Sequence, residues 1–176
     1  MKHINESTSN TNLADQLFEK FESALSSEHQ QIVFKFFLAF MRFEFLLKYR
    51  CYIDNTGIVN WGQFTTQNKD DYDRWLDSNN DSTLTSVINY LNQQPPKKLI
   101  FESRKFVWKT PQNTFKRQLE ILVSHIKIIR NNLFHGNKFI GADNGRNKEL
   151  LEASLVIIDS FVRYLNEEDA FIEESY

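Results

Sequence analysis

Apolar residues recur along most of this chain at intervals of three and four, the period of a helix with one buried face. No run alternates convincingly as a half-buried strand would, so the pattern predicts an all-α fold of five to six helices. Residues 12–26 place Leu13, Leu17, Phe18, Phe21 and Leu25 on one side of a short amphipathic helix. A second helix starts near Ser27 and runs to about Tyr52; between Ile32 and Leu47 only Lys35, Arg42 and Glu44 are not apolar. A helix apolar nearly all round must be covered on most faces, by its own domain or by a second subunit. Asp54-Asn55-Thr56-Gly57 reads as a turn.

Trp61, Phe64, Tyr72, Trp75 and Leu76 mark a more polar third helix, and Leu84, Val87, Ile88 and Leu91 a fourth, which Pro95-Pro96 ends. Residues 97–111 read as a less regular stretch holding Phe101, Phe106 and Trp108. Residues 113–134 form the next helix, with the stripe Leu119, Leu122, Val123, Ile126, Ile129 and Leu133. A loop over 136–147 leads to a last helix carrying Leu150, Leu151, Leu155, Ile158 and Val162. This organises the chain as a flexible N-terminus over 1–11, a single domain over 12–165 and an acidic tail over 166–176.

Composition narrows the function classes. The 176 residues suffice for one domain with a real core, and a net charge of -2 makes no global case for nucleic acid. The lone Cys51 excludes an internal disulfide framework, and with no signal-like segment at the start it points to the cytoplasm. The apolar run of the second helix is short for a membrane span and interrupted by charge, so no membrane association is expected. His, Cys and carboxylates lack CxxC or HExxH spacing, and no metal or cofactor is expected.

Local charge says more than the total. Between positions 97 and 118 stand Lys97, Lys98, Arg104, Lys105, Lys109, Lys116 and Arg117 against the single acid Glu102. Lys127, Lys138 and Arg146 add to this on or after the following helix, as a surface tracking phosphates requires. The plainer reading of such a run is a solvated face. Here the run leads into Ile129-Arg130-Asn131-Asn132-Leu133-Phe134-His135-Gly136. Arg130 offers a permanently charged fork of donors suited to phosphate, and His135 exchanges protons near neutral pH. Gly136 stops the helix and leaves His135 near its C-cap, where the helix dipole favours an imidazolium and the nearby Arg130 opposes it. Each residue also has a purely structural reading, Arg130 as a complement to the dipole and His135 as a cap.

The Arg-x-x-x-x-His spacing from Arg130 to His135, with a polar Asn131 after the Arg and Gly136-Asn137-Lys138 after the His, resembles the signature of the HEPN superfamily of small helical nucleases. Arg42-Phe43-Glu44-Phe45-Leu46-Leu47-Lys48, Trp61 with Phe64, and Pro95-Pro96-Lys97-Lys98 look like a plasmid- and phage-associated branch of it. The resemblance implies an all-helical bundle that dimerises through long helices so that two motifs face one cleft. It implies a metal-independent endoribonuclease, a toxin or anti-phage effector, with RNA as substrate and an antitoxin or defence protein as a further partner. In that scheme His135 is general acid or base, Arg130 stabilises charge on phosphorus, Asn131 holds the phosphate or orients the pair, and the product carries a 2′,3′-cyclic phosphate. Lys97, Lys98, Arg104, Lys105, Lys127, Lys138 and Arg146 would bind the RNA, with Phe139 a candidate for stacking on it. Glu44 pairs with Lys48 one turn on or reaches Arg130 to hold it. Such toxins silenced by a companion nucleotidyltransferase often carry Tyr two residues after the His; here that position is Asn137, which counts against adenylylation there. The competing reading is a non-catalytic module of the same fold that binds RNA, nucleotide or a partner protein. A structural subunit of a larger defence assembly is a third.

Overall fold

The computed structural model describes residues 26–112, 114–134 and 144–173, with side chains as far as Asn166, and the isolated positions 12, 13, 15, 16 and 19. Among the described residues the fold is all-α, with five full helices and one small hairpin: α1 (Ser27–Tyr49), α2 (Trp61–Ser78), α3 (Ser82–Gln93), β1 (Lys98–Glu102), β2 (Lys105–Lys109), α4 (Gln118–Phe134) and α5 (Asn144–Glu173). Most of the helix expected over 12–26 falls outside the described residues. Its start is visible, where the Asn12 side chain accepts from the Asp15 amide at 3.0 Å.

Local chemistry explains the boundaries. Ser26 caps α1 by accepting from the His29 amide, and α1 ends three residues before Tyr52 because Cys51 takes a left-handed backbone at φ 59°. Asp54 then organises the expected turn, its Oδ1 accepting from the amides of Thr56 (2.8 Å) and Ile58 (3.0 Å), with Gly57 at φ 80°. Asn60 and Asp81 cap α2 and α3.

The core joins all five helices. Phe36, Phe40, Phe43 and Leu47 of α1 face α5, whose Phe161 meets Phe43, Phe64 and Tyr72 in an aromatic cluster. Helix α3 also packs on α5, through the stripe that contains Leu84 and Leu91, and α2 packs on α4. Polar groups inside the cluster are paired: the Tyr72 hydroxyl lies 2.8 Å from Ser160 Oγ, and the Asn68 amide donates to Tyr52 Oη and to the Phe64 carbonyl.

The structure corrects the reading of residues 97–111 as irregular. β1 and β2 pair antiparallel from Lys98↔Lys109 to Glu102↔Lys105, closed by Ser103 and Arg104, both at positive φ. Two positive-φ residues between the strands make the tight primed turn whose twist suits a hairpin. The helix expected from 113 starts at Gln118; just before it, Arg117 is drawn to Asp70 (2.7 Å) and Asp73 (3.7 Å) of α2. At the other end, α5 begins at Asn144 within the expected loop and runs to Glu173, through most of the stretch read as an acidic tail.

Among the described residues, one face of α1 is uncovered. Phe34, Leu38, Met41, Phe45 and Tyr49 are exposed while Phe36, Phe40, Phe43 and Leu47 are buried, so only half of the expected cover comes from the described chain. No helix among the described residues is long and apolar enough to cross a membrane.

Candidate functional site

The site is built on the last two turns of α4. The inward stripe Leu122, Ile126 and Ile129 fixes the rotation of the helix, and this sends Arg130 toward α1 and Asn131 to solvent. Arg130 is half-buried. Its guanidinium lies over two rings, Phe134 on its own helix (4.8 Å to the centroid) and Phe40 of α1 (5.6 Å). Phe37 of α1 in turn meets Phe134 at 5.8 Å and backs the ring against which the guanidinium lies. At the open end Arg130 Nη1 donates to Asn131 Oδ1 at 3.1 Å, while Nε has no hydrogen-bond partner among the described residues.

This arrangement replaces the one expected for Glu44. Glu44 is half-buried on α1 but forms no hydrogen bond or ion pair with Arg130 or Lys48 among the described residues; Lys48 sits exposed in the last turn of α1. Flat aromatic faces hold a guanidinium without neutralising it, whereas a carboxylate would compete with phosphate for its donors. His135, Lys138 and Phe139 lie outside the described residues.

Next to Asn131 opens a cleft of about 720 Å³ between α4, the start of α2 and the base of the hairpin. Lys98, Leu99, Ser124, Lys127, Asn131 and Asn132 line it together with Trp61 and Thr65. Lys127 lies with its ammonium 5.7 Å from the centre of the Trp61 ring, and burial pushes its pKa down. Lys127 and Lys98 thus line a common space beside Asn131, which Glu120 enters from two turns before Lys127 on α4. Among the described residues no group of three or more His, Cys, Asp or Glu is placed to hold a metal ion.

The remaining basic residues divide. Among the described residues, Lys97, Lys98, Arg104 and Lys105 form no ion pair, while Lys109 pairs with Glu102 at 2.5 Å. Arg146 is engaged within the chain. It donates to the Gln94 side chain (2.7 Å) and to the Gln94 carbonyl (2.9 Å), tying the end of α3 to the start of α5.

Sequence reasoning passed over three residues that shape the site. Phe134 stands four positions after Arg130, a spacing that could have shown the stack, whereas Phe40 could not have been found without the packing of α1 on α4. Asn132 is buried, and its amide donates to the Lys97 carbonyl at 2.8 Å, so the motif helix anchors the start of the basic hairpin. No protein-family model, curated protein sequence or solved structure matches the chain.

Proposed function

We propose that the chain is a metal-independent endoribonuclease of toxin or anti-phage type, acting as a homodimer and held in check by an antitoxin or defence partner. The observation that carries this reading is the seating of Arg130. Its guanidinium is oriented by Phe40 and Phe134, unneutralised by any carboxylate among the described residues, and bonded to Asn131, which lines a cleft shared with Lys98 and Lys127. An oriented cation of this kind stabilises the charge that builds on phosphorus during attack by the ribose 2′-hydroxyl. His135, next along the chain after Phe134, supplies the proton transfer at the 2′-hydroxyl or the leaving 5′-oxygen.

The dimer part of the proposal is supported by α1. Phe34, Leu38, Met41 and Phe45 follow one another at intervals of four, three and four, the seam of a helix that pairs with another helix. Helix α1 serves both features, contributing Leu38 and Met41 to this seam and Phe37 and Phe40 to the aromatic rings around Arg130.

The deciding experiment is incubation of total cellular RNA with purified protein in EDTA, comparing wild type with His135→Ala and identifying the ends. Discrete cuts carrying 2′,3′-cyclic phosphate, absent with the variant, are the expected result. RNA left intact by a folded, dimeric wild type would sink the catalytic reading and leave a binding module.

A further inference from the structure

The β1–β2 hairpin has an open aromatic face. Cross-strand partners share a face of a two-stranded ribbon, so the pairs Leu99↔Trp108 and Phe101↔Phe106 lie on one side. Leu99 lines the cleft beside Asn131, and the face continues outward from there. Phe101 and Phe106 touch each other edge to face at 5.2 Å and are otherwise open, with 66% and 72% of their surfaces exposed.

Two large rings exposed on a short ribbon are costly in water unless something covers them. Charge identifies the occupant. The cleft into which this face leads is lined by Lys98 and Lys127, and Arg104 stands in the turn at the far end, whereas Lys105 and Lys109 alternate onto the reverse side of the ribbon, where Lys109 pairs with Glu102. An apolar protein surface gives no reason for that local excess of cations. A polyanion with flat faces does, because bases stack on the rings while phosphates meet the cations of the cleft and the turn at the two ends of the face. Paired bases present no open faces, so the occupant is single-stranded. We infer that the Leu99, Trp108, Phe101 and Phe106 face of the hairpin is a stacking platform for unpaired bases of RNA, leading the strand into the cleft at Asn131. The inference rests on the ribonuclease reading for the identity of the strand and adds to it the selection of unpaired segments.

The test is fluorescence anisotropy with a labelled twelve-nucleotide RNA, its duplex, and DNA of the same sequence, in protein carrying His135→Ala so that binding is read without cutting. Phe101→Leu with Phe106→Leu keeps apolar volume and removes the π faces; Phe101→Tyr with Phe106→Tyr keeps both. The expected result is single-strand binding well above duplex binding, weakened by the Leu pair roughly 5- to 150-fold for each stacked base and preserved by the Tyr pair. This outcome supports the platform whether or not the wild type cuts RNA, so it is separable from the catalytic claim. Equal binding by the Leu pair and the parent, or equal binding of duplex, overturns it even in an active nuclease. So does binding of DNA alone, and so does a Leu pair whose sedimentation changes while its RNA affinity does not, which would assign the face to a protein contact.

Discussion

The guanidinium of Arg130 lies 4.8 Å from the ring centre of Phe134, one helical turn further along α4. Because Phe134 immediately precedes His135 in sequence, the residue that fixes the cation is covalently next to the proposed proton carrier. Phe134→Leu keeps helix propensity and bulk but removes the flat face. Loss of a cation–π contact of about 0.5–2 kcal/mol predicts a fall in kcat of roughly 2- to 30-fold, with KM and thermal stability little changed. Arg130→Lys, which retains charge but not the planar fork, is expected to lose about 10²- to 10³-fold. Single-turnover cleavage of a defined RNA checks both; equal kcat in wild type and Phe134→Leu would separate the stack from catalysis.

Adjacent asparagines on α4 have opposite roles. Asn132 is buried and donates to the Lys97 carbonyl, whereas Asn131 is exposed and holds Arg130 Nη1. Asn132→Ala leaves a carbonyl without its donor, and a cost of about 1–3 kcal/mol is expected in urea unfolding. Asn131→Ala should shift stability by less than about 0.5 kcal/mol yet lower activity. The reverse pattern would mean that the hairpin is not anchored through α4.

Much of this architecture could be read from the chain because its helices carry strong stripes. Leu84, Val87, Ile88 and Leu91 placed α3 without ambiguity, and the Asp54–Gly57 turn carried its own chemistry. The hairpin was hidden for a physical reason. Its strands hold the consecutive apolar triplets Leu99-Ile100-Phe101 and Phe106-Val107-Trp108, which show no alternation, and Ser103-Arg104 is not a pair that advertises positive φ. At the site, spacing pointed to Arg130, but its partner Phe40 lies far away in sequence, and the candidate Glu44 forms no hydrogen bond or ion pair with it among the described residues.

Arg146 gives a prediction that separates structure from RNA binding. Its donors serve Gln94 and the Gln94 and Pro95 carbonyls, so it holds the end of α3 against α5. Arg146→Ala is expected to lower stability by about 0.5–1.5 kcal/mol, since the Gln94 acceptors it leaves are open to water. RNA affinity of the folded variant should match wild type, whereas Lys98→Ala and Lys127→Ala should each weaken binding and flatten its salt dependence. Anisotropy titrations at several salt concentrations would expose a phosphate role for Arg146 if it had one.

His125 makes the fold acid-sensitive. It is buried on α4, its Nδ1 has no hydrogen-bond partner among the described residues, and burial lowers its pKa to about 4. The unfolded chain takes up this proton near the ordinary value of about 6.5. Between these two values the unfolded state binds more protons, so stability is fully present above about 6.5 and is lost progressively as pH falls toward 4. The loss from this group is of the order of 3 kcal/mol. Urea unfolding of wild type and His125→Gln from pH 7 to pH 4.5 isolates it from the carboxylates, and the wild type should show the steeper decline. Parallel profiles would mean that the imidazole is hydrated in solution.

The uncovered seam of α1 yields the sharpest test of assembly. Phe34, Leu38, Met41 and Phe45 point away from the core residues Phe36, Phe40 and Phe43, so substitutions on the seam spare the interior. Leu38→Glu with Met41→Glu puts two like charges at the centre of any helix pairing, where each would be desolvated without a partner. Sedimentation should report a dimer for wild type and a monomer for the variant, with unchanged circular dichroism. If two motifs share one cleft, the monomer also loses cleavage, although Arg130 and its aromatic stack are intact within each chain. A variant that is monomeric and fully active would show that each chain cuts alone, and a variant that remains dimeric would move the interface away from α1.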